Sequence, residues 1–371
     1  MVRVLHIVTS MNRGGLETLI MNIYRKINRS KIQFDFLVHT NNEGAYDEEI
    51  RNLGGKLYRV TPRSKGILKN KRNLIDFFKS HTEYRIIHQH VSSLTYIEPI
   101  RIAKKFNVPV RIIHGHNTKQ GGHKIHKYIH YTNKLSIKKA ATHFFACSED
   151  AANWMFGPHE LFNINYTIIN NGIDSERFSF NLGLRNEVRN EYNINDRFVI
   201  GHLGRFAYQK NHRFILEVFN EVKKVENSAV LLLVGDGKLK SEIINKIKEE
   251  NLEDSVIFTG VVSNTEALLN AMDVFLFPSI YEGLGIALIE AQSTGIKCFA
   301  STAVPKEVMI TNNIKRISLQ EPASRWAREI LAYKNGYFRE GQMQQIKTNK
   351  YDISEVSYWL EELYENVLLH G

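Results

Sequence analysis

The sequence contains only two cysteines, Cys147 and Cys298, among 371 residues. So few cysteines exclude a secreted scaffold held by disulfide bonds, and no CxxC or paired Cys/His spacing predicts a structural zinc site. The apolar run at the start is too short for a signal peptide, and the longest run elsewhere, Ala229–Val234, is far below a membrane-spanning length. We therefore expect a soluble, cytoplasmic protein.

Charge is distributed unevenly along the chain. Residues 1–180 carry 27 lysines and arginines against 14 acidic residues, a net charge of +13, whereas the remaining residues carry 22 against 25, a net charge of −3. Twelve of the fifteen histidines also lie in the first 180 residues. This step predicts two halves with different partners, and an anionic surface or ligand for the first. A solvated basic face without a partner is the alternative.

The hydrophobic pattern predicts an α/β protein built from two similar halves. Apolar runs rich in Val, Leu and Ile alternate with amphipathic stretches, which is typical of βαβ units and a parallel sheet covered on both faces. In the first half the predicted strands are 2–9, 33–39, 86–90, 110–114, 143–147 and 166–169. The predicted helices begin near Leu16 or span 74–79, 96–106 and 149–155.

The second half repeats this rhythm after a polar stretch over 174–196 that carries no clear strand. Predicted strands are 197–203, 229–234, 256–259, 274–278 and 297–301, and predicted helices are 211–225, 239–250, 265–271 and 285–293. We place the junction near residue 174, which gives domains 1–173 and 174–371. Two tandem Rossmann-like domains would face each other across a cleft at the carboxyl ends of their strands, where such sheets bind ligands.

Two cations follow the first strand of the second domain. Arg205 comes directly after the strand and Lys210 precedes the next helix. A planar guanidinium and a point charge at this position suit a diphosphate. A basic loop that only solubilises the sheet edge is the alternative.

Two glutamates flank a glycine-bearing loop and the helix behind it. Glu282 stands before Gly283-Leu284-Gly285, and Glu290 lies inside the helix. The glycines let backbone N–H groups approach a ligand, and the helix start favours anionic oxygens. Carboxylates accept hydrogen bonds from sugar hydroxyls, so this pair suits a nucleotide sugar. Glu290 alone is also explained by the helix dipole.

The first domain contains two weaker signals. Gly14 and Gly15 lie at the first strand-to-helix turn, in the manner of a phosphate-binding loop, but they form neither GxGxxG nor a Walker A motif, which argues against a dehydrogenase or a P-loop NTPase. His114 and His116 end a later strand, and His88 and His90 end another and compete with them for any role. No carboxylate accompanies them at ligand spacing, so we predict no metal site.

Together these motifs resemble the retaining glycosyltransferases of family 4, which have the GT-B fold. The resemblance extends over residues 3–307 and is closest to enzymes that build bacterial capsular or exopolysaccharide repeat units. It is carried by Arg205-x4-Lys210, Glu282-x7-Glu290, Gly14-Gly15, His116, Ala146-Cys147-Ser148-Glu149, Asn171-Gly172-Ile173-Asp174 and Val234-Gly235-Asp236-Gly237.

The resemblance implies a role for each matching residue. The first domain would bind the acceptor and the second the nucleotide sugar, with a last helix, about 354–369, packing back on the first domain. His116 would touch the transferred sugar, Glu282 its hydroxyls and Glu290 the ribose hydroxyls. The diphosphate of the donor, expected to be UDP-linked, would be bound by Arg205, Lys210, Gly14, Gly15, Gly283, Leu284 and Gly285, with Asp236 also on the donor side.

The predicted reaction is transfer of a hexosyl unit with retention to a glycan or lipid-linked acceptor, without cofactor or metal. No carboxylate of the first domain stands where the family places a nucleophile, so front-face attack is favoured, and the two cations stabilise the leaving diphosphate. A nucleotide-sugar epimerase of the same architecture and a nucleic-acid-binding protein are the alternatives; the latter explains neither glutamate. Basic stretches at 63–72 and 124–131 also predict peripheral docking on the inner face of the cell membrane.

Overall fold

The computed structural model describes residues 1–117, 124–158 and 163–369. The chain forms two compact units, one made of Met1–Gly172 with Lys350–Gly371 and the other of Ile173–Asn349. The boundary lies one residue before the predicted junction. The segment from Lys350 onward belongs to the first unit, so the extent 174–371 given to the second domain is corrected to 173–349.

The first unit is built on a seven-stranded parallel sheet of order β3-β2-β1-β4-β5-β6-β7. The central strands are almost completely buried, because helices cover both faces of the sheet. Its strands are β1 Val2–Val8, β2 Ile32–Val38, β3 Leu57–Arg59, β4 Ile86–Val91, β5 Val110–Gly115, β6 His143–Ala146 and β7 Thr167–Ile168.

Seven helices belong to the described part of the first unit. They are α1 Gly15–Lys26, α2 Asp47–Asn52, α3 Ile67–Ser80, α4 Glu98–Lys105, α5 Lys124–Ile137, α6 Glu149–Phe156 and, from the C-terminal segment, a helix over Ile353–Leu369. This last helix contributes Ile353, Val356, Leu360 and Tyr364 to the apolar core that α1 forms on one face of the sheet.

The second unit contains a six-stranded parallel sheet of order β10-β9-β8-β11-β12-β13. Its strands are β8 Val199–Leu203, β9 Val230–Val234, β10 Val256–Gly260, β11 Val274–Phe277, β12 Lys297–Ser301 and β13 Ile314–Ile317. Its helices are α7 Leu182–Glu191, α8 His212–Lys223, α9 Lys240–Glu249, α10 Thr265–Ala271, α11 Ile286–Ser293, α12 Ala323–Leu331 and α13 Met343–Thr348; the C-terminal helix Ile353–Leu369 is then α14.

Helix α7 lies in the polar stretch for which no strand was predicted. Its arginines hold it in place, because Arg185 and Arg189 both form ion pairs with Asp273, at 2.5 and 3.3 Å. Both guanidinium groups also donate to the backbone oxygens that end α10. The two sheets confirm the predicted fold class of two Rossmann-like α/β domains. In the described residues, no helix has the length and apolar character needed to cross a bilayer.

Candidate active site

In the second unit, the loop after β8 brings Lys210 against Glu282. Lys210 Nζ lies 2.6 Å from Glu282 Oε1, and Gln209 Nε2 donates to Oε2 at 2.9 Å. The pair is largely buried, with 16% of the Lys210 side chain and 6% of the Glu282 side chain exposed. The ammonium also lies 4.6 Å from the centre of the Phe277 ring. The two residues that the sequence assigned to separate parts of the donor are therefore direct partners.

Gln209 is a site residue that the sequence analysis missed. Its side chain fixes the second carboxylate oxygen of Glu282, and its backbone oxygen accepts a hydrogen bond from Ile280 N at 2.8 Å. It stands beside Lys210 in the sequence, but no spacing rule distinguishes a glutamine at this position from any other polar loop residue. It ties the loop after β8 to the loop after β11.

Arg205 is exposed and lies on a backbone that packs closely against the loop after β9. Phe206 N donates to Asp236 O at 3.0 Å, and Gly204 N donates to Val234 O at 2.9 Å. Gly235 has a φ of +131°, and a Cβ there would lie 2.3 Å from Gly204 O, so only glycine allows this approach. Asp236 itself is exposed and accepts a hydrogen bond from Gly237 N at 2.7 Å.

The loop between β11 and α11 presents free backbone donors. Gly285 is the N-cap residue of α11 and has a left-handed φ of +93°. Among the described residues, no backbone oxygen accepts a hydrogen bond from the N–H groups of Gly283, Leu284 or Gly285. Because these donors precede a helix N-terminus, the loop suits an anionic oxygen.

Glu290 lies in α11 and is partly buried. Burial raises the pKa of its carboxyl to about 7, with Arg177 lowering and Glu266 raising it to smaller extents. Arg177 donates to Glu266 Oε2 and to Ser263 O, both at 2.6 Å. Arg177 is a second residue that the sequence analysis missed, because it lies in the polar stretch taken as the junction.

In the first unit, Gly14 caps the start of α1. A Cβ at Gly14 would lie 2.3 Å from Glu17 Oε2, so the Glu17 side chain folds back over this turn, whereas a Cβ at Gly15 would meet open space. Burial raises the pKa of the Glu17 carboxyl. The Glu17 carboxyl therefore covers this turn at Gly14, whereas the space beside Gly15 is open.

His116 follows β5, and His114 lies within that strand. His114 is buried, and its Nδ1 lies 3.2 Å from His88 Nε2. His116 is partly exposed at the carboxyl edge of the sheet, and its Nε2 lies 3.0 Å from His90 Nδ1. Of the two histidines, His116 is thus the one that lies beyond the carboxyl end of β5.

The family models match both units. "Glycosyltransferase Family 4" matches residues 13–177, and "Glycosyl transferases group 1" matches residues 185–351. The chain is 38% identical to the EpsF glycosyltransferase of Bacillus subtilis (strain 168) over 336 residues, which cover 88% of this chain and 86% of EpsF. The chain is a glycosyltransferase of family 4.

A second relative and a solved structure extend this assignment. The glycosyltransferase is 26% identical to the capsular polysaccharide biosynthesis glycosyltransferase CapH of Staphylococcus aureus, over 98% of this chain and 99% of CapH. It shares the fold of Anabaena Alr3699/HepE, solved in complex with UDP and glucose, with a TM-score of 0.78 at 18% identity, covering 98% of this chain and 100% of that one. The fold is therefore GT-B.

Within the described residues, the histidines of this glycosyltransferase form two groups that geometry would allow to hold a metal ion. In each group the ligand nitrogens lie within 4.8 Å of one another; the groups are His6, His88 and His90, and His90, His114 and His116. No ligand set is recognisable in the sequence, because no carboxylate stands at ligand spacing and the two groups draw their nitrogens from β1, β4 and the end of β5. The expectation of a metal-free enzyme stays a prediction.

Proposed function

We propose that this glycosyltransferase moves a hexosyl unit from a UDP-linked sugar to a glycan or lipid-linked acceptor, with retention, in the assembly of a surface polysaccharide. The observation that carries the proposal is the Lys210–Glu282 pair next to the unpaired N–H groups before α11. Cation, carboxylate and free N–H donors together match the phosphate and hydroxyl groups of a nucleotide sugar. CapH, named for capsular polysaccharide biosynthesis, and HepE, solved with UDP and glucose, support the pathway and the donor class.

Each group of the site has one role in the proposed reaction. Arg205 and Lys210 neutralise the diphosphate as it leaves, and the N–H groups of residues 283–285 bind its oxygens. When the donor binds, the Lys210 ammonium group donates a hydrogen bond to a phosphate oxygen as well as to Glu282. The Glu282 carboxylate then also accepts a hydrogen bond from a sugar hydroxyl. Glu290 accepts from the ribose hydroxyls. His116, Gly14, Gly15 and Asp236 complete the proposed donor contacts.

We propose front-face attack as the route to retention. The acceptor hydroxyl forms its bond to the anomeric carbon on the face from which the diphosphate departs, and a diphosphate oxygen takes the hydroxyl proton. Negative charge accumulates on the leaving group, where the two cations and the start of α11 stabilise it. This route needs neither a protein nucleophile nor a metal ion.

A ligand screen followed by product analysis tests this function. UDP should raise the melting temperature of the full chain more than ADP or GDP, because a ligand bound only by the folded state stabilises it. Transfer from UDP-sugars should persist in EDTA, and the anomeric proton of the product should show the donor's configuration by NMR. An inverted product would refute front-face attack, loss of activity in EDTA would refute metal independence, and no response to any nucleoside diphosphate would refute the function.

We further propose that the first unit docks on an anionic membrane. Apolar side chains of α5 are exposed at helical spacing, with Ile125, Tyr128 and Leu135 each more than 60% exposed, as are Ile67 and Leu68 at the start of α3. Exposed cations lie between and beside them, namely Lys65, Lys69, Arg72, Lys124, Lys127, Lys138 and Lys139. An apolar stripe flanked by cations is typical of helices that lie in a membrane interface.

The structure reduces the number of cations that this docking uses. Arg63 lies over the Tyr96 ring at 4.5 Å and Lys71 pairs with Glu98 at 2.9 Å, so two of the five cations in 63–72 already have partners within the unit. Each remaining cation near an anionic surface contributes about 1 kcal/mol.

Co-sedimentation with vesicles tests this docking. Binding should be strong on vesicles containing phosphatidylglycerol, weak on pure phosphatidylcholine, and reduced by salt. Tyr128→Ser and Lys127→Glu should weaken it, whereas Lys224→Glu, an exposed cation of the second unit, should not. Equal binding to neutral and anionic vesicles would refute the electrostatic part of the proposal.

A further inference from the structure

Five histidines of the first unit form two hydrogen-bonded rows across β1, β4 and β5. In the first row, His116 Nε2 lies 3.0 Å from His90 Nδ1, and His90 Nε2 lies 2.9 Å from His6 Nδ1. In the second, Tyr364 Oη lies 2.7 Å from His88 Nδ1, and His88 Nε2 lies 3.2 Å from His114 Nδ1. The first row, here called the His116–His90–His6 row, leads from the carboxyl edge of the sheet into the core.

The ring planes show that the row is held by direct hydrogen bonds. His6 and His90 are inclined by only 15° with centroids 5.3 Å apart, and His90 and His116 by 29° at 5.2 Å. The facing nitrogens are only 2.9 and 3.0 Å apart while the ring centroids are 5.3 and 5.2 Å apart, so these nearly parallel rings meet edge to edge, and an N–H of one points at the lone pair of the next. A metal ion would instead need the lone pairs of three rings to converge on one point.

One of the three N–H groups in the row has no acceptor among the three histidines. Three neutral imidazoles carry three N–H groups, and each ring has one donor and one acceptor nitrogen. The two hydrogen bonds use two N–H groups, and all of them must point in the same direction along the row because His90 donates once and accepts once. The third N–H therefore lies on His6 Nε2 or on His116 Nδ1, and both atoms are buried without a partner in the described part of the chain.

The surroundings of the two ends decide between these arrangements. His6 lies beside Phe34, with ring centroids 4.1 Å apart, and borders a small cavity of about 10 Å³ whose apolar walls include Leu19 and Ile20. An unpaired N–H is costly there. His116 lies at the carboxyl edge of the sheet, where the proposed function places an oxygen of the substrate. The third N–H is therefore more stable on His116 Nδ1.

We propose that His90 and His6 are positioning residues that hold His116 in its Nδ1–H tautomer, so that it presents a neutral hydrogen-bond donor to an oxygen of the transferred sugar. The inference rests on the proposed function, which puts that sugar against His116. His116 then binds the sugar as a donor and not as a base, because its only lone pair is used by His90.

Two substitutions of His90 separate its two hydrogen bonds. In His90→Asn the amide nitrogen takes the place of Nδ1, so the donor toward His116 is kept and the contact with His6 is lost. In His90→Gln the amide lies at the place of Nε2, so the contact with His6 is kept and the donor toward His116 is lost. The two variants are matched in polarity, because each places a neutral amide in the same region of the core.

Two-bond ¹H–¹⁵N spectra of the full chain labelled with [¹⁵N]histidine report which nitrogen of each ring is protonated. His6, His90 and His116 should all be Nδ1–H tautomers in the unmutated protein. His116 should keep this tautomer in His90→Asn and populate both tautomers in His90→Gln. An Nε2–H tautomer of His116 in the unmutated protein overturns the inference, and this result does not require any variant to fold. An unchanged tautomer in a folded His90→Gln protein overturns it as well.

Two further measurements distinguish a failure of the hydrogen-bond row from a failure of the proposed function. Turnover with a UDP-sugar should fall at least tenfold in His90→Gln, toward that of His116→Ala, and less than threefold in His90→Asn. If the tautomer changes as expected while turnover does not, the inferred hydrogen-bond row is supported and the proposed contact of His116 with the sugar is refuted. One equivalent of a transition metal bound to these histidines, found by elemental analysis, would overturn the row in favour of a metal centre.

Discussion

At the scale of single residues, Arg205 and Lys210 occupy very different environments although they stand five positions apart. Lys210 is held by the largely buried carboxylate of Glu282, whereas Arg205 is exposed at the strand end. A largely buried charge that loses its partner is destabilising, whereas truncation of an exposed side chain usually is not. The two cations therefore contribute differently to stability although both are proposed to stabilise the same leaving group.

We expect Arg205→Ala and Lys210→Ala each to lower turnover about a hundredfold, which corresponds to about 3 kcal/mol of transition-state stabilisation. Only Lys210→Ala should also lower the melting temperature, because it leaves Glu282 unpaired. Arg213→Ala is the matched control, since Arg213 is an exposed cation of the next helix that pairs with Glu242. Near-normal turnover in both site variants, or an equal loss in Arg213→Ala, would contradict the assignment.

Glu290 predicts a pH dependence of donor binding. Its pKa is raised to about 7, mainly by burial, so the carboxyl is largely protonated below pH 7 and ionised above it. Only the ionised form accepts hydrogen bonds from two ribose hydroxyls with both oxygens, so donor affinity should rise as the pH rises through 7. Glu290→Gln should bind more weakly and without this dependence.

Calorimetric titration with UDP-glucose between pH 6 and 8 measures this effect, because its phosphodiester groups do not titrate in that range. Arg177→Ala serves as a second probe. Removing the cation that lowers the pKa of Glu290 should shift the transition to higher pH. A pH dependence that persists unchanged in Glu290→Gln would assign it to another group.

At the scale of secondary structure elements, β1, β4, β5 and the residue after β5 place five imidazoles side by side, of which three are buried and two, His90 and His116, are partly buried. Burial lowers the pKa of His6 and of His116 to about 3, and lowers those of His88, His90 and His114 well below the usual value. In the unfolded chain these histidines titrate near pH 6.5. Between these values the unfolded state binds more protons, so stability is complete above pH 6.5 and is lost as the pH falls.

We expect the free energy of unfolding of the first unit to fall below pH 6.5, with a slope that approaches at most about 1.4 kcal/mol per pH unit for each such histidine. His6→Phe should reduce the slope by one histidine's share, since phenylalanine does not titrate. Urea unfolding at pH 5, 6 and 7 measures the slope. His126→Phe, the same substitution at an exposed position of α5, is the control. A slope equal in both variants would show that His6 is not neutral in the folded state.

At the scale of the whole molecule, the chain leaves the first unit after Gly172 and returns to it at Lys350. The two crossing points are adjacent, because Asn170 Nδ2 donates to Lys350 O at 3.2 Å. After its return the chain adds α14 to the face of the sheet that α1 covers, and Tyr364 closes the second row of histidines at His88. The core of the first unit is therefore incomplete without α14.

Leu360→Ala should destabilise the first unit by about 3 kcal/mol, because it creates a cavity beneath α14. Leu360 is 2% exposed, whereas Tyr358, two positions earlier on the same helix, is 66% exposed. Tyr358→Ala is therefore the control and should change stability by less than about 0.5 kcal/mol. Urea unfolding measures both, and an equal loss in the two variants would show that α14 does not pack as described.

The sequence by itself determined the α/β class and the positions of most strands. Buried parallel strands are continuous apolar runs, so periodicity locates them, and β8 to β12 begin and end within two residues of their predicted bounds. The positions of the loops of the candidate site could be predicted for the same reason, since each loop begins where an apolar run ends. Strand β13 was missed because Lys315 and Arg316 interrupt its apolar pattern, and α7 was missed because ion pairs with Asp273, and not an apolar face, hold it.

Only the tertiary structure decided which of these residues meet. Lys210 and Glu282 are 72 positions apart, and the row of His6, His90 and His116 takes its rings from three strands. Such contacts depend on the order of strands in the sheet, with β1 between β2 and β4, and on the register between them. Hydrophobic periodicity records the surroundings of each strand separately and does not specify its neighbour, so pairings across the sheet and between loops arise only when the chain folds.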